Sequence, residues 1–243
     1  MAVYRDQGIV LRTHKLGEAD RIITMFLRER GVTRLVAKGV RKTSSKFGGR
    51  LEPFMLVDIQ AYEGRSLDTI TQAVTLQAYT QALAHDYDRY SIGSILVETS
   101  EKLAEDGGGR AHFNLLLGAL RTLAEGEIDP ELVRDAYLIR AIALSGWAAG
   151  FVDCVVCEAP GPHQRLSVQH GGVLCERCGE AGIMRVTQET PELLAALFSG
   201  DWPTAIAAGD RARKEAASFA ASYTQWHLER GLKSMRIASH SQW

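Results

Sequence analysis

The chain has 243 residues, 46% hydrophobic, 23% charged and 7% aromatic, a globular composition that excludes a disordered, collagenous or coiled-coil protein. No apolar run nears the roughly 18 residues of a membrane span, and no basic segment leads into an apolar one at the start, so a cytoplasmic protein with no membrane contact is expected. The net charge of −1 hides an asymmetry: residues 1–50 carry twelve Lys and Arg against four Asp and Glu (+8), and the other 193 residues carry sixteen against twenty-five (−9).

In chain order, Ile9 to Thr13, Ile22 to Leu27 and Thr33 to Ala37 are β-branched runs separated by turn material at Leu16 to Asp20 and Arg30-Gly31. Arg41 to Gly49 is too polar and flexible in composition to be a strand. Met55, Val57, Ile59 and Ala61 then alternate with Leu56, Asp58, Gln60 and Tyr62, the period of a half-buried strand, and a turn at Glu63 to Ser66 leads to a fifth strand, Leu67 to Ala73. Five short strands with an insertion after the third suit a small closed barrel such as an OB-fold.

Beyond Gln77 the period becomes helical. Ile92, Ile95, Leu96, Thr99 and Leu103 share a face, with a stop expected at Gly107-Gly108-Gly109; Phe113, Leu116, Leu117, Leu120 and Leu123 form the next stripe. Asp129-Pro130-Glu131 opens a helix expected to run to Trp147, and Thr190-Pro191-Glu192 repeats that start signal. A last helix carries Ala216, Phe219, Ala220 and Tyr223. The expected architecture is an α+β multidomain chain: an OB-fold barrel over 1–78, a helical domain over 79–149 and 187–243, and a four-cysteine module over 150–186.

All four cysteines form two knuckles, Cys154-x2-Cys157 and Cys175-x2-Cys178, a spacing that lets four thiolates surround one Zn²⁺. Leu166 to Val168 and Gly172 to Leu174 can pair as a hairpin about Gln169-His170-Gly171 and bring the knuckles together. Two disulfides are disfavoured in a reducing compartment, while an iron–sulfur cluster stays open. Four cysteine ligands leave no open position for a substrate, so one zinc with a structural role is expected. His163 and His170, in the intervening loop, read as solvated.

Catalytic signatures are missing. No G-x-x-x-x-G-K-[ST], G-x-S-x-G, H-E-x-x-H or G-x-G-x-x-G occurs, and Glu18 with Asp20 reads as surface charge in a turn. The expectation is a protein that is not an enzyme. A basic segment on an acidic body fits a polyanion partner, and equally a β domain whose edges are solvated by charge.

The stretch Arg5-Asp6-Gln7-Gly8-Ile9-Val10-Leu11-Arg12, followed by Leu16-Gly17-Glu18-Ala19-Asp20-Arg21-Ile22-Ile23-Thr24, resembles the start of the bacterial RecO family. Val36-Ala37-Lys38-Gly39-Val40-Arg41 and Leu51-Glu52-Pro53-Phe54 are similar to the family's third strand and the loop after it, and the cysteine pairs and helical half fit as well. This resemblance implies a DNA-repair and recombination mediator without catalytic activity, built on an N-terminal OB-fold and a helical domain with a zinc module. It implies binding of single- and double-stranded DNA, annealing of complementary strands, a complex with RecR, contact with the acidic C-terminal tail of single-stranded DNA-binding protein, and, indirectly, loading of RecA. Its place would be the cytoplasm, with the nucleoid during repair.

An OB-fold holds a strand along a positive groove while bases stack on side chains. Arg12, Lys15, Arg34, Lys38, Arg41, Lys42 and Lys46 are the candidate phosphate contacts and Tyr62 the candidate stacking residue; Phe47 suits either stacking or packing. Arg211, Arg213, Lys214, Arg230, Lys233 and Arg236 form a second basic cluster. The alternative reading is a zinc-ribbon and OB protein that binds RNA in translation or transcription.

Overall fold

The structure, a computed structural model, describes residues 2–104, 109–180 and 183–228. It divides into two compact units, Met1–Glu125 and Gly126–Trp243. The sequence changes from strand to helix near residue 78, but compactness breaks only after Glu125, because the first three helices pack on the strands that precede them.

In the first unit, β1 (Val3–Leu16), β2 (Asp20–Leu27), β3 (Gly31–Ala37), β4 (Met55–Tyr62) and β5 (Asp68–Ala78) form a closed barrel in the order β1-β2-β3-β5-β4, with β4 paired back to β1. The pairings are antiparallel except that of β3 with β5, which is parallel and spans two pairs, Leu35 with Asp68 and Val36 with Thr69. Alternation puts Ile23, Met25, Leu27, Leu35, Ala37, Val57, Ile59 and Ala61 inside. The loop after β3 completes this core: Val40, Phe47 and Leu51 are buried in it, the last at the end of a 3-10 turn, Gly48–Leu51. Phe47 is therefore a packing residue, out of reach of a nucleic-acid base.

The outward residues Ile9 and Phe26, partners in the β1–β2 register, are also fully buried. Three helices, α1 (Tyr79–Leu83), α2 (Tyr87–Ala104) and α3 (Arg110–Glu125), cover that side of the barrel. Phe113 of α3 meets Phe26 edge-on with ring centroids 5.7 Å apart, and Arg110 pairs with Glu29 at 2.5 Å. Each aromatic buried here contributes about 1.5–3 kcal/mol of transfer free energy. Of the expected stop after α2, Gly107 and Gly108 lie outside the described residues.

The second unit contains α4 (Pro130–Leu144), a small sheet of β6 (Arg165–Ser167), β7 (Gly172–Leu174) and β8 (Met184–Arg185), then α5 (Glu189–Ser199), α6 (Trp202–Ala207) and α7 (Asp210–His227). Asp129 caps α4 by accepting the Glu131 N–H at 2.9 Å, as its sequence signals. The helix stops at Leu144, short of Trp147, because Gly146 takes a left-handed φ of 96° and breaks the pattern. Thr190 is not a cap: α5 starts one residue earlier, and the Thr190 hydroxyl donates to Glu215 of α7 at 2.6 Å, joining the two helices.

Because Phe47 anchors an otherwise polar loop, Phe47→Ala lowers unfolding free energy by about 3–5 kcal/mol in urea titration, whereas the neighbouring Lys46→Ala stays within about 0.5 kcal/mol. Equal effects of the two would show that the loop is not held by the core.

Candidate nucleic-acid interface and metal centre

The polar loop after β3 is irregular yet fixed at defined points. The Asp20 carboxylate accepts the Gly39 N–H at 2.7 Å, so this member of the acidic pair fixes the backbone where Gly39 turns with φ +67°. Arg41 donates its backbone N–H to the Ala19 carbonyl at 2.9 Å and its guanidinium to the Gly17 carbonyl at 3.0 Å, clamping the loop onto the β1–β2 turn. Farther on, the Lys46 ammonium sits 5.2 Å from the Phe47 ring centroid.

This folding gathers several of the expected cations. Lys15 lies at the end of β1 beside the turn that Arg41 grips, with Lys38 and Lys42 on the same loop segment. Arg34 lies on the outward face of β3, two residues from Val36. Lys15, Arg34, Lys38, Arg41, Lys42 and Lys46 are all exposed, and none has an ion-pair partner among the described residues. Three other barrel arginines are compensated: Arg5 pairs with Asp58 at 3.2 Å, Arg21 with Glu52 at 2.7 Å and Arg30 with Glu63 at 3.3 Å, whereas Arg28 and Arg50 bond only neutral acceptors.

Arg12 belongs to this compensated set, since its guanidinium pairs with Glu101 of α2. Tyr62 is half-buried at the end of β4, in register with Thr69 of β5, which in turn is in register with Val36 of β3. Two strand spacings separate it from Val36, about 10 Å. Tyr62 thus lies across the β3–β5 seam from Arg34.

Near the C-terminus, Arg211 pairs with Glu215 at 3.0 Å, and Arg213 pairs with Asp129 at 3.1 Å while donating to the carbonyls of Ala208 and Ile206. Both arginines are thus engaged within the unit, Arg211 inside α7 and Arg213 across to Asp129 and α6, leaving Lys214 exposed; Arg230, Lys233 and Arg236 lie outside the described residues. What the sequence reading missed is the set of apolar anchors, Val40, Phe47 and Leu51. Their signal was present as isolated large hydrophobes in a polar stretch.

The four cysteines converge as their spacing requires. Their sulfurs lie within 4.8 Å of one another, none is in a disulfide, and Cys157 Sγ stands 3.6 Å from Cys175 Sγ. Four sulfurs about 2.3 Å from a central ion form a tetrahedron with edges of about 3.8 Å, so the set fits a tetrahedral metal. Burial opposes ionisation of Cys154, but backbone N–H groups of Cys175, Cys157 and Val156 bring its thiol down to about 6; hydrogen bonds with Cys157 and Cys175 push Cys178 up to about 12. Four thiolates this close repel strongly without a cation between them.

The hairpin forms as expected, with Leu166 opposite Val173 and Ser167 opposite Gly172, and Arg165 ties it to the second knuckle through Glu176 at 2.6 Å and the Gly179 carbonyl at 3.0 Å. His163 is half-buried and bonds the Ala159 carbonyl at 2.9 Å, so it is not simply solvated, whereas His170 is exposed, as expected, and bonds the Ser167 hydroxyl at 2.9 Å.

Comparison with known proteins gives one consistent result. The family model described as Recombination protein O N terminal matches residues 1–79, and Recombination protein O C terminal matches residues 84–236. A protein named DNA repair protein RecO from Thermobifida fusca is 47% identical over 243 residues, covering 99% of this chain and 100% of the relative. Proteins of the same name from a Nocardioides species and from Frankia casuarinae are each 50% identical, covering 96% and 97% of this chain and 98% of each relative.

The small core around Cys154, Leu174 and Cys175 is too slight to fold alone. Treatment with a strong chelator therefore makes 150–186 susceptible to protease while the barrel resists. A module that stays resistant after complete metal removal would contradict a metal-held fold.

Proposed function

The chain belongs to the RecO family of DNA repair proteins, and from that premise we propose that it is a non-enzymatic recombination mediator whose barrel holds DNA strands by charge and stacking. The observation that carries this reading is the group of six exposed cations, Lys15, Arg34, Lys38, Arg41, Lys42 and Lys46, without carboxylate partners among the described residues, on a barrel where Arg5, Arg12, Arg21 and Arg30 are neutralised by carboxylates. Cations already paired within a fold gain little from a phosphate, whereas uncompensated ones release counterions from the nucleic acid when it binds.

The loop cations take phosphates, Arg34 extends the track along β3, and Tyr62 stacks a base across the seam. Arg12 joins only by giving up Glu101. Neutralising phosphates on single- or double-stranded DNA lowers the repulsion between complementary strands and so promotes annealing. Family membership supports the wider role: with RecR, the protein helps load RecA onto strands coated by single-stranded DNA-binding protein, whose acidic C-terminal tail it contacts. This work belongs to the cytoplasm and the nucleoid. Among the described residues no helix is long and apolar enough to cross a membrane.

Zn²⁺ is the ion that Cys154, Cys157, Cys175 and Cys178 would hold; it supplies folding energy to the module and, with four protein ligands, carries no open coordination position. Elemental analysis of purified protein then gives one zinc per chain, lost in Cys157→Ser; iron with visible absorption would replace zinc by a cluster.

The direct test is annealing of complementary oligonucleotides coated with single-stranded DNA-binding protein, without nucleotide. Wild type anneals them, and a variant with Arg34, Lys38, Arg41 and Lys42 changed to Ala loses most of that rate while keeping its fold. A folded, metal-loaded wild type that anneals nothing overturns the proposal, and tighter binding of RNA than of DNA of the same sequence would redirect it to RNA.

A further inference from the structure

Arg50, in the 3-10 turn Gly48–Leu51, is a cation that sequence pattern does not single out, and the fold gives it a fixed pose. Its Nη1 donates to two carbonyls of the same loop, Lys46 at 2.9 Å and Phe47 at 3.2 Å. Those acceptors use both N–H groups of that nitrogen. Nε and Nη2 bond no described residue, so one edge of the exposed guanidinium is open. That edge carries two parallel N–H groups, the fork that matches two oxygens of a phosphate. Carbonyls orient the group without cancelling its charge, and the carboxylate nearest in the chain, Glu52, is taken by Arg21 at 2.7 Å.

The backbone around Arg50 is held on both sides. Phe47 and Leu51 are each 1% exposed, and tight turns lead in, with Lys42 N–H to the Gly39 carbonyl and Ser45 N–H to that of Lys42. Turns also lead out, from Glu52 to Gly49 and from Met55 to Glu52, so Arg50 stays close to the start of β4. Arg34 and Tyr62 flank the seam at the other end of that strand, whose eight residues span about 23 Å. Arg50 is thus the last in a series of cations that begins at the seam and follows the loop.

Between Lys46 and Arg50 the surface is bare. A side chain begun at Gly48 or Gly49 would meet no atom within 4 Å. Gly48 needs glycine for its φ of +53°, but Gly49 has no left-handed φ, so neither conformation nor packing accounts for it. Glycine there leaves room for another backbone to approach the loop between two cations.

We propose that Arg50 binds a backbone phosphate of a single strand through Nε and Nη2 and forms the far end of the track on the barrel, the strand lying close over Gly48 and Gly49. The assignment rests on the function proposed above and adds to it a contact of a different kind. Lysines of the loop act as mobile point charges, whereas Arg50 is already oriented by two carbonyls and loses less side-chain freedom when it binds.

Single-strand affinity as a function of salt, measured on folded full-length proteins, tests the assignment. Arg50→Ala weakens binding by at least about threefold near 0.15 M salt and flattens the slope of log affinity against log salt by about 0.7, the share of one phosphate. Arg50→Lys keeps the slope and recovers only part of the affinity, because an ammonium restores charge without the fork. Gly49→Glu, which touches no packed atom, sets a carboxylate beside the open edge and weakens binding as Arg50→Ala does. Arg28→Ala removes the same charge from the β2–β3 turn, where Arg28 bonds Gln7, and leaves the slope as in wild type. A wild-type slope in Arg50→Ala, full affinity in Arg50→Lys, or equal flattening by Arg28→Ala overturns the proposal. If Arg50→Ala fails to fold, Gly49→Glu decides, and unchanged affinity in that variant refutes the contact. Wild type that binds no single strand counts against the proposed function itself. Wild type that binds, and loses affinity only when Arg34, Lys38, Arg41 and Lys42 are replaced, keeps that function and removes Arg50 alone from the track.

Discussion

Two pairs of parallel contact, Leu35 with Asp68 and Val36 with Thr69, close the barrel, and the chain between Ala37 and Met55 has to finish what those pairs leave open. It does so by alternating roles along one loop. Val40, Phe47 and Leu51 enter the barrel core, while Lys38, Arg41, Lys42 and Lys46 stay in solvent between them. Hydrophobic burial thus fixes a segment whose composition alone would leave it mobile, and the charges on it become a shaped surface. The same brevity of the β3–β5 seam leaves the later part of β5 without a strand partner on one side among the described residues. Charge display and free edge are two results of one topological constraint.

The helical layer explains which cations take part. α2 and α3 lie over the outward faces of β1 and β2, burying Ile9 and Phe26, and they bring Glu101 to Arg12 while Arg110 takes Glu29. Exposed ion pairs of this kind are worth little in stability, but they remove positive potential from the covered side. The uncompensated side runs from the β1–β2 turn over the loop to β3 and β5. In the second unit the corresponding organising element is the four-cysteine set, which gathers a module with few apolar residues of its own around one point.

How far the sequence revealed this depended on the kind of signal. The cysteine spacing carried complete information, because ligand chemistry leaves one arrangement, and the period-two pattern of Met55–Tyr62 marked β4 to the residue. β1 is longer than its β-branched run, since Arg5 and Asp6 mask a segment that is paired along its edge with β4. β2 held a clue to the helical layer: five consecutive buried residues, Ile23 to Leu27, cannot belong to a strand with one wet face. The short β8 and α6 depend on contacts that no local pattern encodes. For the candidate interface, the sequence supplied the residue types, but only the fold separated Arg12, taken by Glu101, from Lys42, left open.

The central claim is that the loop cations bind phosphates directly. The salt dependence of single-strand affinity reads this, because each phosphate contact contributes about 0.7 to the slope of log affinity against log salt. Replacing Lys38, Arg41 and Lys42 by Ala should flatten that slope by about 2 relative to wild type. Parallel salt dependences for the two proteins would contradict the account and move the interface off the loop.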